Sequence, residues 1–280
     1  MREQAKSPDS AVRAADAVNA VAGSEDARAH SAVPADSVGR RTLRGIGQTL
    51  ITFGVVVLLF IVYEAFITSI FTAQKQAQLN EQLHDDWESD PAIDPQITVA
   101  DIPIGDAFAI LRIPAFGADY ARVVLEGTTP AVLKQGPGHY PGTAMPGEVG
   151  NFSVAGHRVG RGSPFLDLDK LEPGDAIVVE TAAQWFVYRV IGDAASGSFT
   201  DADYPGIEGR HIVKPSAYEA ISPVPGDDDA APAQSLLTLT TCHPKFSAAE
   251  RMIIHAHLDG DPLTKAQYPE PGDLPALSGG

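Results

Sequence analysis

The sequence predicts a mostly β domain, an antiparallel sandwich or barrel with short helices, carried behind one transmembrane helix. Three features of its 280 residues point there. One long uncharged run, Gly45 to Tyr63, divides the chain into unequal parts. Beyond it, about 155 residues from Ala107 to Gly260, the usual size of one folding unit, read as short β-rich runs broken by Gly and Pro. Hydrophobic residues make up 44% of the chain, enough for a core and too many for a disordered or collagen-like protein.

A helix needs about 20 apolar residues to cross the hydrocarbon core, and the uncharged run, which resumes past Glu64 to Phe71, has that length. Arg40, Arg41 and Arg44 precede it and Lys75 is the one base close behind, so the amino terminus is expected in the cytoplasm. A cleaved signal peptide would have a shorter apolar region nearer the start. A buried core helix is disfavoured because Val55 to Ile61 would show apolar groups on every face. Residues 1–44, rich in Ala, Ser and Asp without an apolar period, read as a disordered cytoplasmic tail, and 45–71 as the anchor. Residues 72–106, polar and then acidic with Pro91, Pro95 and Pro103, read as a stalk and linker. The folded domain is expected over 107–260, followed by a flexible Pro- and Gly-rich tail over 261–280.

Within the domain, strands are expected at Phe108–Ile113, Ala121–Leu125, Phe152–Ala155, Ala176–Glu180, Trp185–Ile191, Leu236–Cys242 and Met252–Leu258. Short helical signals fall at Pro130–Gln135 and Ser216–Ala220.

The net charge of −16 sits entirely beyond the anchor, because residues 1–71 hold seven bases and seven acids. That field opposes a polyanion, so nucleic acid is not an expected partner. One cysteine excludes an intramolecular disulfide and leaves Cys242 either a small buried hydrophobe or a thiol kept for its chemistry.

Alternation along Leu236–Cys242 puts Leu237, Leu239 and Thr241 on one face and Thr238, Thr240 and Cys242 on the other. Cys242 then ends its strand just before His243 and Pro244, in an exposed position. Arg251 opens the next run, with Ile253, His255 and His257 on its face, and if the two strands pair it enters near the end that Cys242 leaves. A guanidinium beside a thiol favours thiolate and can stabilise an oxyanion. A thiol nucleophile also needs a proton-transfer partner. His30 lies in the tail and His84 in the linker, so His157, which follows Phe152–Ala155 and Gly156, is the best candidate. Spacing alone does not bring the three together.

Their motifs carry a resemblance. Thr238-Leu239-Thr240-Thr241-Cys242-His243-Pro244, followed by Arg251, resembles the active-site strand and arginine of a sortase. Gly136-Pro137-Gly138, Pro146-Gly147 and Gly150-Asn151, leading to Ala155-Gly156-His157-Arg158, resemble that family's histidine segment. The similarity covers about 107–260. Cys242 to Ser247, the Gly138-His139-Tyr140-Pro141-Gly142 element and the short step from Cys242 to Arg251 are most like class E, of high-GC Gram-positive bacteria.

The resemblance implies a closed eight-stranded β-barrel and a cysteine transpeptidase. Cys242 would attack the Thr-Gly carbonyl of a C-terminal sorting signal of Leu-Ala-X-Thr-Gly or Leu-Pro-X-Thr-Gly type, His157 would protonate the leaving amine, and Arg251 would hold substrate and oxyanion. A thioester would then pass to an amine of a cell-wall precursor or a pilin lysine, with no cofactor. Tyr140 is expected to line the signal groove, and Thr240 and Thr241 to face the peptide or support the site. No apolar C-terminal stretch followed by bases is present, so the chain is expected to act on sorted proteins rather than to be one. A cell-wall cysteine peptidase using water and a membrane-tethered binding module are the other classes. His243, His255 and His257 form a rival zinc reading, and Asp227, Asp228 and Asp229 are either a solvated turn or a calcium-binding loop.

Overall fold

The computed structural model describes residues 38–63, 68–89 and 102–278, in two compact units that divide between Val57 and Leu58. Most of the tail expected over 1–44 and part of the linker, 90–101, lie outside the described residues. The α1 helix (Val38–Val62) is, among the described residues, the one helix long and apolar enough to cross a membrane, and none of its residues is buried.

Ten strands follow residue 106: β1 (Ala107–Arg112), β2 (Ala121–Glu126), β3 (Gly138–His139), β4 (Gly150–Ala155), β5 (Ala176–Glu180), β6 (Gln184–Val190), β7 (Arg210–Val213), β8 (Ser235–His243), β9 (Glu250–Leu258) and β10 (Leu263–Thr264). Eight of them close a barrel in the order β6, β5, β1, β2, β3, β4, β8, β9, with β9 returning to β6. The pairs β2–β3 and β4–β8 are parallel; the other pairs are antiparallel. β7 and β10 lie outside the ring, on β9 and β6. β3, β7 and β10 are the strands that periodicity does not reveal, because runs of two to four residues carry no alternation to read.

Alternation decides which residues fill the barrel. Leu111, Val124, Phe152, Val154, Ile177, Leu237, Leu239, Ile254 and Ala256 point inward and are buried. The outward residues are covered in several places, which is why β4 and β5 read as continuous buried runs. The helix α2 (Thr68–Ser89) covers one of them, packing Leu79 and Leu83 on Ile110, Val123, Leu125 and Val132. Gln76 fastens it: its Nε2 donates to the Val123 and Gln135 carbonyls and its Oε1 accepts from Val123 N at 2.7 Å. The segment expected as a stalk is thus part of the folded domain, since two leucines one turn apart give it an apolar stripe.

The C-terminal segment also departs from expectation. β10 pairs with β6, Trp185 Nε1 donates to the Tyr268 carbonyl at 2.9 Å, and Leu274 is buried with Val178, Trp185 and Val187. Pro271 and Pro275 open short helical turns there, where a missing N–H costs nothing, so the prolines do not prevent the segment from capping that face. Pro130 to Leu133 form the short helix α3, capped by Thr129 Oγ1, which accepts from Val132 N.

Candidate active site

β4 and β8 run parallel and in register, Ala155 beside Thr240. The ladder continues one step, as Gly156 N donates to the Thr240 carbonyl at 3.0 Å. His157 and Cys242 each follow those partners by two residues, so they leave the same end of the barrel on adjacent strands. β8 and β9 then pair antiparallel with Cys242 opposite Arg251. All three side chains are half-buried.

Several contacts hold this arrangement. Thr241 is turned to the interior, 2% exposed, and its Oγ1 donates to the Gly156 carbonyl at 2.7 Å. It therefore supports the His157 segment, whereas its neighbour Thr240 faces outward beside Tyr140, their hydroxyls 2.9 Å apart. Gly156 has no alternative: a Cβ there would come within 2.5 Å of the Phe165 ring. Arg158, 3% exposed, donates from Nε to the Leu166 carbonyl and pairs through Nη2 with Asp169 at 2.9 Å. Asp169 also meets Lys245 at 3.6 Å, so one carboxylate ties the loop after His157 to the loop after Cys242.

Burial, and secondarily the nearby Arg161 guanidinium, hold the His157 imidazole below the usual histidine range, which favours its neutral form near neutral pH. The Arg251 guanidinium donates to the Ala248 and Glu250 carbonyls at 3.1 and 2.9 Å, within its own turn. Beside it a small groove of about 60 Å³ is lined by Tyr140, Thr240, Arg251, Ile253, Val213 and Tyr218, among others. Asn151 holds one wall of the region: its Nδ2 donates to the Ser222 carbonyl at 2.9 Å and its Oδ1 accepts from Thr238 Oγ1 at 2.7 Å. Tyr140 is steadied by its neighbour His139, which is fully buried with Nδ1 2.6 Å from Glu126 Oε2. Asn151, Arg158 and Asp169 escape sequence reasoning because their role lies in bonds to residues distant along the chain.

The histidines of the zinc reading are spread out. His243 pairs with Glu250 at one end of the β8–β9 ladder and His257 with Leu236 at the other. His255 is bonded to Thr238, and His257 stacks on Tyr204. Asp227 accepts from the backbone amides of Asp229 and Ala230, closing a turn.

A thiol and a guanidinium opposite each other, with an imidazole just past the end of the adjoining strand, are groups of the kind thiol acyl transfer uses. A family model for the sortase domain matches residues 111–259, and the chain belongs to the sortase family, whose members are cysteine transpeptidases. It is 35% identical over 222 residues to sortase SrtE1 of Streptomyces coelicolor, covering 75% of this chain but 55% of that relative. With sortase SrtE2 of the same organism it shares 30% identity over 229 residues, covering 77% and 84%. Solved structures include the SrtF sortase from Corynebacterium diphtheriae, 42% identical with a TM-score of 0.58 over 67% of this chain and 99% of that one. Sortase E from Streptomyces avermitilis is 35% identical, with a TM-score of 0.50 over 62% and 99%. The sortase E relatives are those of class E.

Proposed function

We propose that this chain is a membrane-anchored transpeptidase that cleaves a C-terminal sorting signal between Thr and Gly and transfers the new acyl group to an amine. The observation that carries this reading is the register of β4, β8 and β9, which sends His157, Cys242 and Arg251 to one end of the barrel. Cys242 passes its proton to the neutral His157 imidazole and the resulting thiolate attacks the Thr carbonyl carbon, while the Arg251 guanidinium, swung from its turn carbonyls, stabilises the oxyanion. The C–N bond breaks and the Gly amine leaves with a proton from His157, giving a Cys242 thioester. An acceptor amine on a cell-wall precursor or a pilin lysine then attacks the thioester, His157 takes the amine proton, and the thiolate is released. No cofactor enters these steps.

Tyr140 and Thr240 line the groove that receives the signal, of Leu-Ala-X-Thr-Gly or Leu-Pro-X-Thr-Gly type, while Thr241 supports it from beneath. The α1 helix spans the cell membrane with the amino terminus in the cytoplasm, as Arg40, Arg41 and Arg44 favour, and the barrel lies outside. There the anchor concentrates the enzyme beside membrane-bound signals and acceptors.

The test incubates the full chain in detergent with both peptide types and a soluble amine. Mass spectrometry should find a thioester on Cys242 and an amine-linked product, and Cys242→Ala should abolish both. Release of free acid alone would mean a peptidase, and unchanged turnover by Cys242→Ala would refute the scheme.

A further inference from the structure

Five of the thirteen Lys and Arg residues that follow the apolar segment line two adjoining cavities beside α2. The larger, about 480 Å³, lies between α2 and the barrel and is lined by Arg112, Arg122 and Arg161. The smaller, about 220 Å³, shares Thr72 and Arg161 with it and adds Lys75 and Lys134. No carboxylate lines either cavity, although the residues beyond the anchor carry 29 acids. The cations gather where the acids are missing.

Of the five, Arg112 alone meets a carboxylate among the described residues. Arg112 is neutralised by Glu180, at 2.8 Å from Nε and 2.7 Å from Nη2. Arg122 donates only to its neighbour's carbonyl, Ala121 O, and stacks on Tyr120, and neither it nor Arg161 meets a carboxylate among the described residues. The wall between them is rigid, because Gln76 is bonded on both sides to backbone and packs where a Cβ on Gly136 would stand. A preformed cavity of this volume, in the ~300–1,000 Å³ range of small-ligand sites, with two forked donors free of carboxylates suits a tetrahedral oxyanion.

The chain also says where such an anion would come from. Thr72 follows Val62, the last residue of α1, by ten residues, so the cavity lies within about 35 Å of that helix end even at full extension.

We propose that this cavity holds the phosphate or diphosphate headgroup of a membrane lipid, gripped by Arg122 and Arg161 with Lys75 and Lys134 at its mouth. Binding is a property separate from catalysis, whereas its use, presenting a lipid-linked acceptor to Cys242, rests on the transpeptidase reading above. Arg161 connects the two, since its charge helps keep His157 deprotonated and a bound anion would offset it.

The experiment reads binding without turnover, so failure of the transpeptidase reading would leave its outcome intact. The full chain is placed in nanodiscs of phosphatidylcholine alone and titrated calorimetrically with inorganic diphosphate. Saturable binding is expected, weakened roughly tenfold or more in the Arg122→Gln/Arg161→Gln double variant. Arg161→Glu, a change at an exposed loop residue, should give the same loss if the double variant unfolds. Absence of saturable binding, or equal binding by the variants, would overturn the proposal. A second arm adds an isoprenoid diphosphate or phosphatidylglycerol to the discs. Competition from either supports the proposal and identifies the source, while competition from neither restricts the site to free phosphate and overturns the lipid assignment.

Discussion

Cys242 and Arg251 are direct partners across the β8–β9 ladder, one pair in from the end formed by His243 and Glu250. Directly opposed residues of an antiparallel pair have Cβ atoms about 4.5–5.5 Å apart, so a guanidinium raised from its turn carbonyls can reach a group bound at the thiol without backbone movement.

Arg251→Lys keeps the charge and loses the planar fork. In the proposed scheme kcat/KM for a sorting peptide should fall by roughly 10²-fold, the cost of an oxyanion donor. Thermal unfolding should barely shift, because the native guanidinium bonds only carbonyls of its own turn. Unaltered kinetics would make Arg251 a structural residue.

Thr241→Val removes the hydroxyl that holds the Gly156 carbonyl. That buried acceptor is left without its partner, at about 1–3 kcal/mol, and His157 one residue on loses a constraint. Urea unfolding should register the first effect and a reduced kcat the second. Thr241→Ser, which restores the donor, should recover most of both.

Acid should destabilise the domain through His255. Burial, with the neighbouring His211 adding to it, pushes this imidazole down to about 3 from an ordinary value near 6.5. Folded His255 stays neutral while the unfolded chain takes up a proton, so the contribution is full above pH 6.5 and is lost as pH falls from there toward 3. The limiting slope is about 1.4 kcal/mol per pH unit. Urea unfolding at pH 7 and pH 5, followed by tryptophan fluorescence, should show a steeper loss for the native chain than for His255→Gln; parallel slopes would refute the assignment.

Leu83→Ala tests whether α2 belongs to the domain. Leu83 is 4% exposed against the β1–β2 face, so its truncation should cost about 2–5 kcal/mol, as for a core leucine. A stalk residue would show almost no change in unfolding midpoint.

Local pattern carried much of this molecule. The seven longer strands fall within two residues of where the β-rich runs between Gly and Pro put them, because such short apolar, β-branched stretches bounded by turn residues suit a pleated, buried strand. The phase of Leu236–Cys242 likewise puts Cys242 and Thr240 on the groove face and Thr241 inside.

What the linear order determined by itself was a lone thiol at a strand end, an arginine at the start of the next strand, and an apolar segment of spanning length. Tertiary structure alone decided that β4 lies parallel to β8, which brings His157 alongside Cys242 from 85 residues away. It also decided that α2 and the C-terminal segment close over the barrel instead of trailing from it. Those outcomes depend on which surfaces are left uncovered once the ring closes, and no window of sequence contains both the exposed face and the segment that covers it.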